Sequence, residues 1–135
     1  MKSKADLVRG WLRKAESDLT SAALSLAAGQ ALDGACFHAQ QAAEKCIKAY
    51  MTAGEIEFPF IHNLEKLIAL CAQHDAEFAT LKTLGQNLTP FAVELRYDAE
   101  FWPAPETVRG ALAAASTIRD FVLVRLPAQQ RPPVP

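Results

Sequence analysis

The sequence predicts an all-α protein, an up-and-down bundle of four to five helices. Three observations carry this. Of 135 residues, 25 are alanine and 16 leucine, while the β-branched and aromatic residues that favour strands are thin. Apolar residues recur at steps of three and four along most of the chain, and no apolar–polar alternation is long enough for a sheet. Proline, which breaks a helix interior, is absent before Pro59 and then returns at Pro90, Pro103 and Pro105 and four times between Pro127 and Pro135.

The first helix is predicted from about Lys4 to Ala28, on Val8, Leu12, Ala15, Leu19, Ala22 and Leu26, with Gly29 to end it. The second runs from about Gly34 to Ala53, with Asp33 as N-cap and Gly54 closing it. Glu55 to Ile61, with Pro59, reads as a loop. The third spans roughly Asn63 to His74, capped by Asn63, with Leu64, Leu67, Ile68 and Cys71 inward. A fourth begins near Ala76. Leu81, Leu84, Leu88, Phe91 and Leu95 stay in phase through Pro90, which favours a kink there over a new helix capped by Thr89. Asp98 to Ala104 is a loop. Pro105 opens a fifth helix to about Arg125, on Val108, Ala111, Ala115, Ile118 and Val122. Residues 1–126 thus form one helical domain, and 127–135 a proline-rich tail expected to be extended and loosely ordered.

Composition excludes several classes of protein. Lys plus Arg number 14 against 15 Asp plus Glu, unlike a nucleic-acid-coating domain, which is basic throughout. The charges are nevertheless sorted. Lys2, Lys4, Arg9, Arg13 and Lys14 meet only Asp6 in the first fourteen residues, whereas nine acids face three bases from Glu55 to Glu106. Such asymmetry can orient a partner or a polyanion, although a solvated helix face is the default reading. Cys36, Cys46 and Cys71, with no CxxC, fit neither a disulfide framework nor zinc and read as buried thiols. No metal-ligand spacing, cofactor motif, signal-peptide core or membrane-length run occurs, so the expectation is a cytoplasmic protein without metal or cofactor.

The second helix holds the most chemistry. Ala35, Ala39, Ala42, Cys46 and Ala49 share one side of a helical wheel. His38, Gln40, Gln41, Glu44, Lys45 and Lys48 fall on the other, with His38, Gln41, Lys45 and Lys48 nearly in line. Donors, two cations and an imidazole suit a phosphate or nucleotide. The plain alternative is a solvated face on which Glu44 and Lys48 form an ordinary i,i+4 pair. Arg96 and Tyr97 offer a guanidinium fork and a stacking ring. Their plain reading is Arg96 paired with Glu94, Asp98 or Glu100 and Tyr97 packed at the bundle end. Phe101, Trp102 and Pro103 make an apolar cluster, either a lid on the core or part of an interface. His74–Asp75, at a helix end, reads as capping.

The string FHAQQAAEKCIKA from Phe37 to Ala49 resembles the signature helix of HEPN domains (higher eukaryotes and prokaryotes nucleotide-binding). AESDL from Ala15 to Leu19, HNL from His62 to Leu64 and ELRY from Glu94 to Tyr97 extend the likeness, which covers roughly Ala5 to Arg125. The resemblance implies a helical homodimer, often encoded beside a minimal nucleotidyltransferase in two-component, toxin–antitoxin-like modules. It also implies either metal-independent RNA cleavage or non-catalytic nucleotide binding. The family's ribonucleases carry Arg, four to six residues, then His. Arg96 stands at the arginine position, but positions 101–103 hold Phe101, Trp102 and Pro103. The expected function is therefore a non-catalytic module that binds nucleotide, phosphate or RNA through His38, Gln41, Lys45, His62, Arg96 and Tyr97. Two alternatives remain: a ribonuclease in which His38 or His62 replaces the missing histidine, and a structural dimerisation unit.

Overall fold

The computed structural model describes residues 1–131, and every regular element among them is helical. The helix α1 covers Lys4–Ala28, α2 Leu32–Ala53, α3 Leu64–Ala72, α4 Lys82–Leu88 and α5 Pro105–Leu123. Short 3-10 turns lie at Ala76–Leu81, Thr89–Phe91 and Ala128–Gln130. The chain is an up-and-down helical bundle with α2 at its centre, packed mainly against α1 and α5 and also touched by α3 and α4.

Each boundary has a local cause. The α1 helix starts at a capping box, in which Ser3 Oγ accepts from the Asp6 amide and Asp6 accepts from the Ser3 amide. It ends at Gly29, whose φ of 66° is left-handed and suits a residue without Cβ. The α2 helix begins two residues before the predicted start. Its N-cap is Ala31, also left-handed at φ 54°, with no side-chain cap. Asp33 lies instead inside the first turn, where a carboxylate faces the positive end of the helix dipole. Asn63 caps α3 as expected, accepting from the Lys66 amide.

The fourth segment departs further from expectation. It opens as a 3-10 turn capped by Asp75, becomes α4, and tightens again to 3-10 at Thr89–Phe91. The backbone keeps winding through Pro90, so the apolar stripe stays in phase, but the α-helix itself ends at Leu88. Thr89 does not cap a new helix. Its hydroxyl donates to the Gly85 carbonyl at 2.8 Å and accepts from the Leu64 amide at 3.0 Å, tying α4 to the start of α3. Gly85 permits that closeness, because a Cβ there would lie 2.7 Å from Ile68 Cδ1 and 3.3 Å from Leu64 Cβ.

The α5 helix begins with Pro105 in its first turn and buries Val108, Ala111, Ala115, Ile118 and Val122 as predicted. The start of the tail is not extended. Ala128–Gln130 turns back and buries Gln130, while Arg9 donates to the Gln129 carbonyl. The rest of the predicted tail, 132–135, lies outside the described residues.

The main core joins Val8, Leu12 and Leu19 of α1 to Ile47 and Met51 of α2, Leu64 and Leu67 of α3, Phe78, and Ile118 and Val122 of α5. Much of the remaining contact is alanine, which lets α1, α2 and α5 approach closely. All three cysteines are buried, and burial pushes the Cys36 thiol up to about 11 and those of Cys46 and Cys71 up to about 12. They are inert packing groups at neutral pH. No helix among the described residues is long and apolar enough to cross a membrane.

Candidate functional site: two buried-carboxylate clusters along the second helix

The polar arc of α2 is not a solvated face. Gln40 is fully buried, Glu44 is 4% exposed and Lys48 7%. Because neighbours surround α2, both of its sides are interior. Polar side chains there must find partners, since an unpaired buried polar group is costly. They find them in two clusters of the same design: a carboxylate set between a histidine Nδ1 and a lysine Nζ.

The first cluster joins α1 to α2. Asp18 Oδ1 accepts from His38 Nδ1 at 2.8 Å, and Asp18 Oδ2 accepts from Lys45 Nζ at 2.6 Å. An ionised carboxylate only accepts, so the Nδ1 of His38 carries a proton and its Nε2 is left without a partner among the described residues. The His38 side chain is 40% exposed and Lys45 23%, against 11% for Asp18. Asp18 did not figure among the expected binding residues. One signal was available: it shares the buried face of α1 with Ala15, Leu19 and Ala22. A lone acid on an apolar stripe marks a buried ion pair.

The second cluster lies farther along α2. Glu44 Oε1 accepts from His62 Nδ1 at 2.8 Å and from Gln40 Nε2 at 3.2 Å, and Glu44 Oε2 accepts from Lys48 Nζ at 3.0 Å. Gln40 Nε2 also donates to the His62 carbonyl at 3.0 Å, and Gln41 Nε2 donates to Gln40 Oε1 at 2.7 Å. The Glu44–Lys48 pair foreseen at i,i+4 is present, but it is buried. Lys48 Nζ also lies 5.8 Å from the Trp11 ring centroid and 5.4 Å from that of Phe58, which gives the cation two aromatic faces.

Of the six expected binding residues, His38 and Lys45 thus belong to the first cluster, and Gln41 and His62 to the second. Arg96 and Tyr97 belong to neither. The Arg96 guanidinium lies 4.5 Å from the Phe37 ring centroid, and that ring is 5.7 Å from the His38 ring. Neither Arg96 nor Glu94 takes part in an ion pair among the described residues, so the expected pairing of Arg96 with Glu94, Asp98 or Glu100 is absent. Tyr97 is 82% exposed instead of packed at the bundle end. The Phe101–Pro103 cluster divides. Phe101 packs on Phe91 at 5.8 Å, while Trp102 is 76% exposed.

His74–Asp75 behaves as capping chemistry. Asp75 accepts from Arg125 Nε and from the Glu77 amide, and these bonds, the arginine's above all, hold its carboxyl below the usual range. Chemically, the arrangement provides two partly exposed imidazoles whose Nδ1 is engaged, one guanidinium over an aromatic ring with no carboxylate partner among the described residues, and two lysines already paired with carboxylates.

A central helix lined with paired polar groups, inside an alanine-rich up-and-down bundle, defines a class of small helical domains. The sequence profile of the HEPN domain matches residues 8–126, and the chain belongs to the HEPN domain family. No curated protein matches it significantly. Among solved structures it is similar to TT1696 from Thermus thermophilus, with 27% identity and a TM-score of 0.75, over 88% of this chain and 98% of that one. It is also similar to ST0689, an archaeal HEPN homologue, with 25% identity and a TM-score of 0.69, over 93% of this chain and 98% of that one.

Proposed function

We propose that this HEPN protein is a binding module for a nucleotide or another phosphate-bearing ligand, with Arg96 as the principal anion contact and His38 beside it. The carrying observation is the state of Arg96. Its guanidinium has no carboxylate partner among the described residues, yet it lies over the Phe37 ring, 4.5 Å from the centroid. A pre-positioned fork of this kind suits a phosphate. Lys45 contributes less than its place on the wheel suggested, because Asp18 already neutralises it. Gln41 and His62 border the same stretch of α2, and exposed Tyr97 supplies a ring next to Arg96.

Adding ATP should raise the melting temperature. A ligand at a hundred times its Kd stabilises by about 2.7 kcal/mol. Arg96→Ala should abolish the rise, and a flat titration at millimolar nucleotide would remove the proposal.

The same proposal includes a homodimer and a small nucleotidyltransferase as partner. Fully exposed Phe60 and largely exposed Trp102 are apolar surfaces that such contacts would cover. Light scattering tests the first, and co-purification with the product of a neighbouring nucleotidyltransferase gene tests the second.

One observation favours RNA cleavage as a second reading. The Asp18–His38 bond orients an imidazole for proton transfer, and Phe37 brings Arg96 into its neighbourhood. Cleavage of RNA under chelator, lost in both Arg96→Ala and His38→Ala, would replace the binding reading.

A further inference from the structure

Beside the second cluster an open cleft of about 390 Å³ lies between the start of α3 and the segment that follows α4. That is at the lower end of the roughly 300–1,000 Å³ typical of ligand sites. Ile61, Pro90, Ala92 and Val93 give it apolar walls. Its polar lining consists of His62, Asn63, Thr89 and Glu94.

Thr89 is fully committed, and Asn63 through its oxygen alone, its Nδ2 staying a donor. The Thr89 hydroxyl both donates and accepts within the fold, and Asn63 Oδ1 caps α3. His62 donates from Nδ1 to Glu44, which makes Nε2 of the neutral ring an acceptor. The Glu94 carboxylate, exposed and outside every ion pair of the described residues, is an acceptor as well. The cleft therefore suits an apolar body that carries N–H donors.

The cleft and Arg96 belong to one stretch of the molecule. Glu94 and Arg96 are two residues apart on a segment held by the Leu95 amide donating to the Pro90 carbonyl at 2.8 Å. On α2, Phe37 carries Arg96 and Gln40 carries the His62 carbonyl, three positions or about 4.5 Å apart along the axis.

We infer that this cleft is a base-binding subsite selective for guanine, with the Glu94 carboxylate accepting from N1–H and the 2-amino group while Arg96 holds the phosphate. Guanine presents two neighbouring donors on that edge. Adenine presents an acceptor at N1, which would face the carboxylate, and only the 6-amino group as a donor. The inference rests on the proposed phosphate site at Arg96 and adds the identity of the base.

Calorimetric titration of the full chain with GMP, IMP and AMP tests it. GMP should bind about tenfold more tightly than AMP, the discrimination expected of one bidentate base contact, with IMP, which lacks the 2-amino group, in between. Glu94→Gln should bring GMP within about twofold of AMP without weakening AMP. Arg96→Ala should weaken all three. Equal affinities for GMP and AMP, unchanged in Glu94→Gln but lost in Arg96→Ala, would overturn the guanine subsite and leave the phosphate site standing. Binding of none of the three at millimolar concentration would overturn both.

Discussion

The two carboxylate clusters share one plan and differ in where the carboxylate comes from. In the first, α1 supplies Asp18 to a histidine and a lysine that both lie on α2. In the second, α2 supplies Glu44 to a lysine one turn away and to a histidine on the following loop. The first is a clamp between helices, open to water on its histidine side. The second is also open on its histidine side, where His62 is 54% exposed, but its ion pair is nearly closed, with Glu44 and Lys48 side chains 5% and 9% exposed. A closed ion pair is tolerated only when every lone pair and proton is satisfied. Gln40, Trp11 and Phe58 supply what the second cluster needs. The first is simpler because water can do the same work.

Removing each carboxylate tests this contrast. Glu44→Ala leaves a buried ammonium without its counter-charge, so urea unfolding should show a loss of about 3–5 kcal/mol. Replacing both partners by Glu44→Leu and Lys48→Met should recover most of that loss, because no stranded charge remains.

Asp18→Ala should cost less, about 1–2 kcal/mol by the same measurement, since Lys45 and His38 can turn to solvent. A loss equal to that of Glu44→Ala would end the distinction between a closed and an open cluster.

Asp75 with Arg125 supplies a partly buried reference, and removing its charge alone should have the smallest effect. The folded carboxyl titrates below its unfolded value of 3.8, so its stabilising contribution is present above that value and lost as pH falls through the folded one. Asp75→Asn should lower Tm slightly at neutral pH, and the difference should vanish once the pH has fallen through the folded titration. Asn keeps the cap, so a difference that persists in acid would mean that the charge of Asp75 is not what stabilises the fold.

The sequence made α1, α3 and α5 readable because each has one buried stripe and a solvated back, which a helical wheel captures. It failed on the back of α2, where Gln40, Glu44 and Lys48 look solvated until the neighbours of that helix are known. Asp18 sat in plain view on an apolar stripe. The stacking of Arg96 on Phe37 spans 59 positions, and no local pattern encodes it. The HEPN resemblance rested on the same α2 string, so family and fold were legible before the chemistry of that string was.

Thr89 carries a consequence of another kind. Amide protons at the first position of a helix usually exchange quickly, because no carbonyl one turn earlier receives them. The Leu64 amide is an exception, since it donates to a hydroxyl that is itself anchored on Gly85. Leu64 follows His62 by two residues, and Thr89 precedes Glu94 by five. Its exchange rate therefore reports whether the two walls of the cleft stay joined, a spectroscopic gauge already present in the native chain.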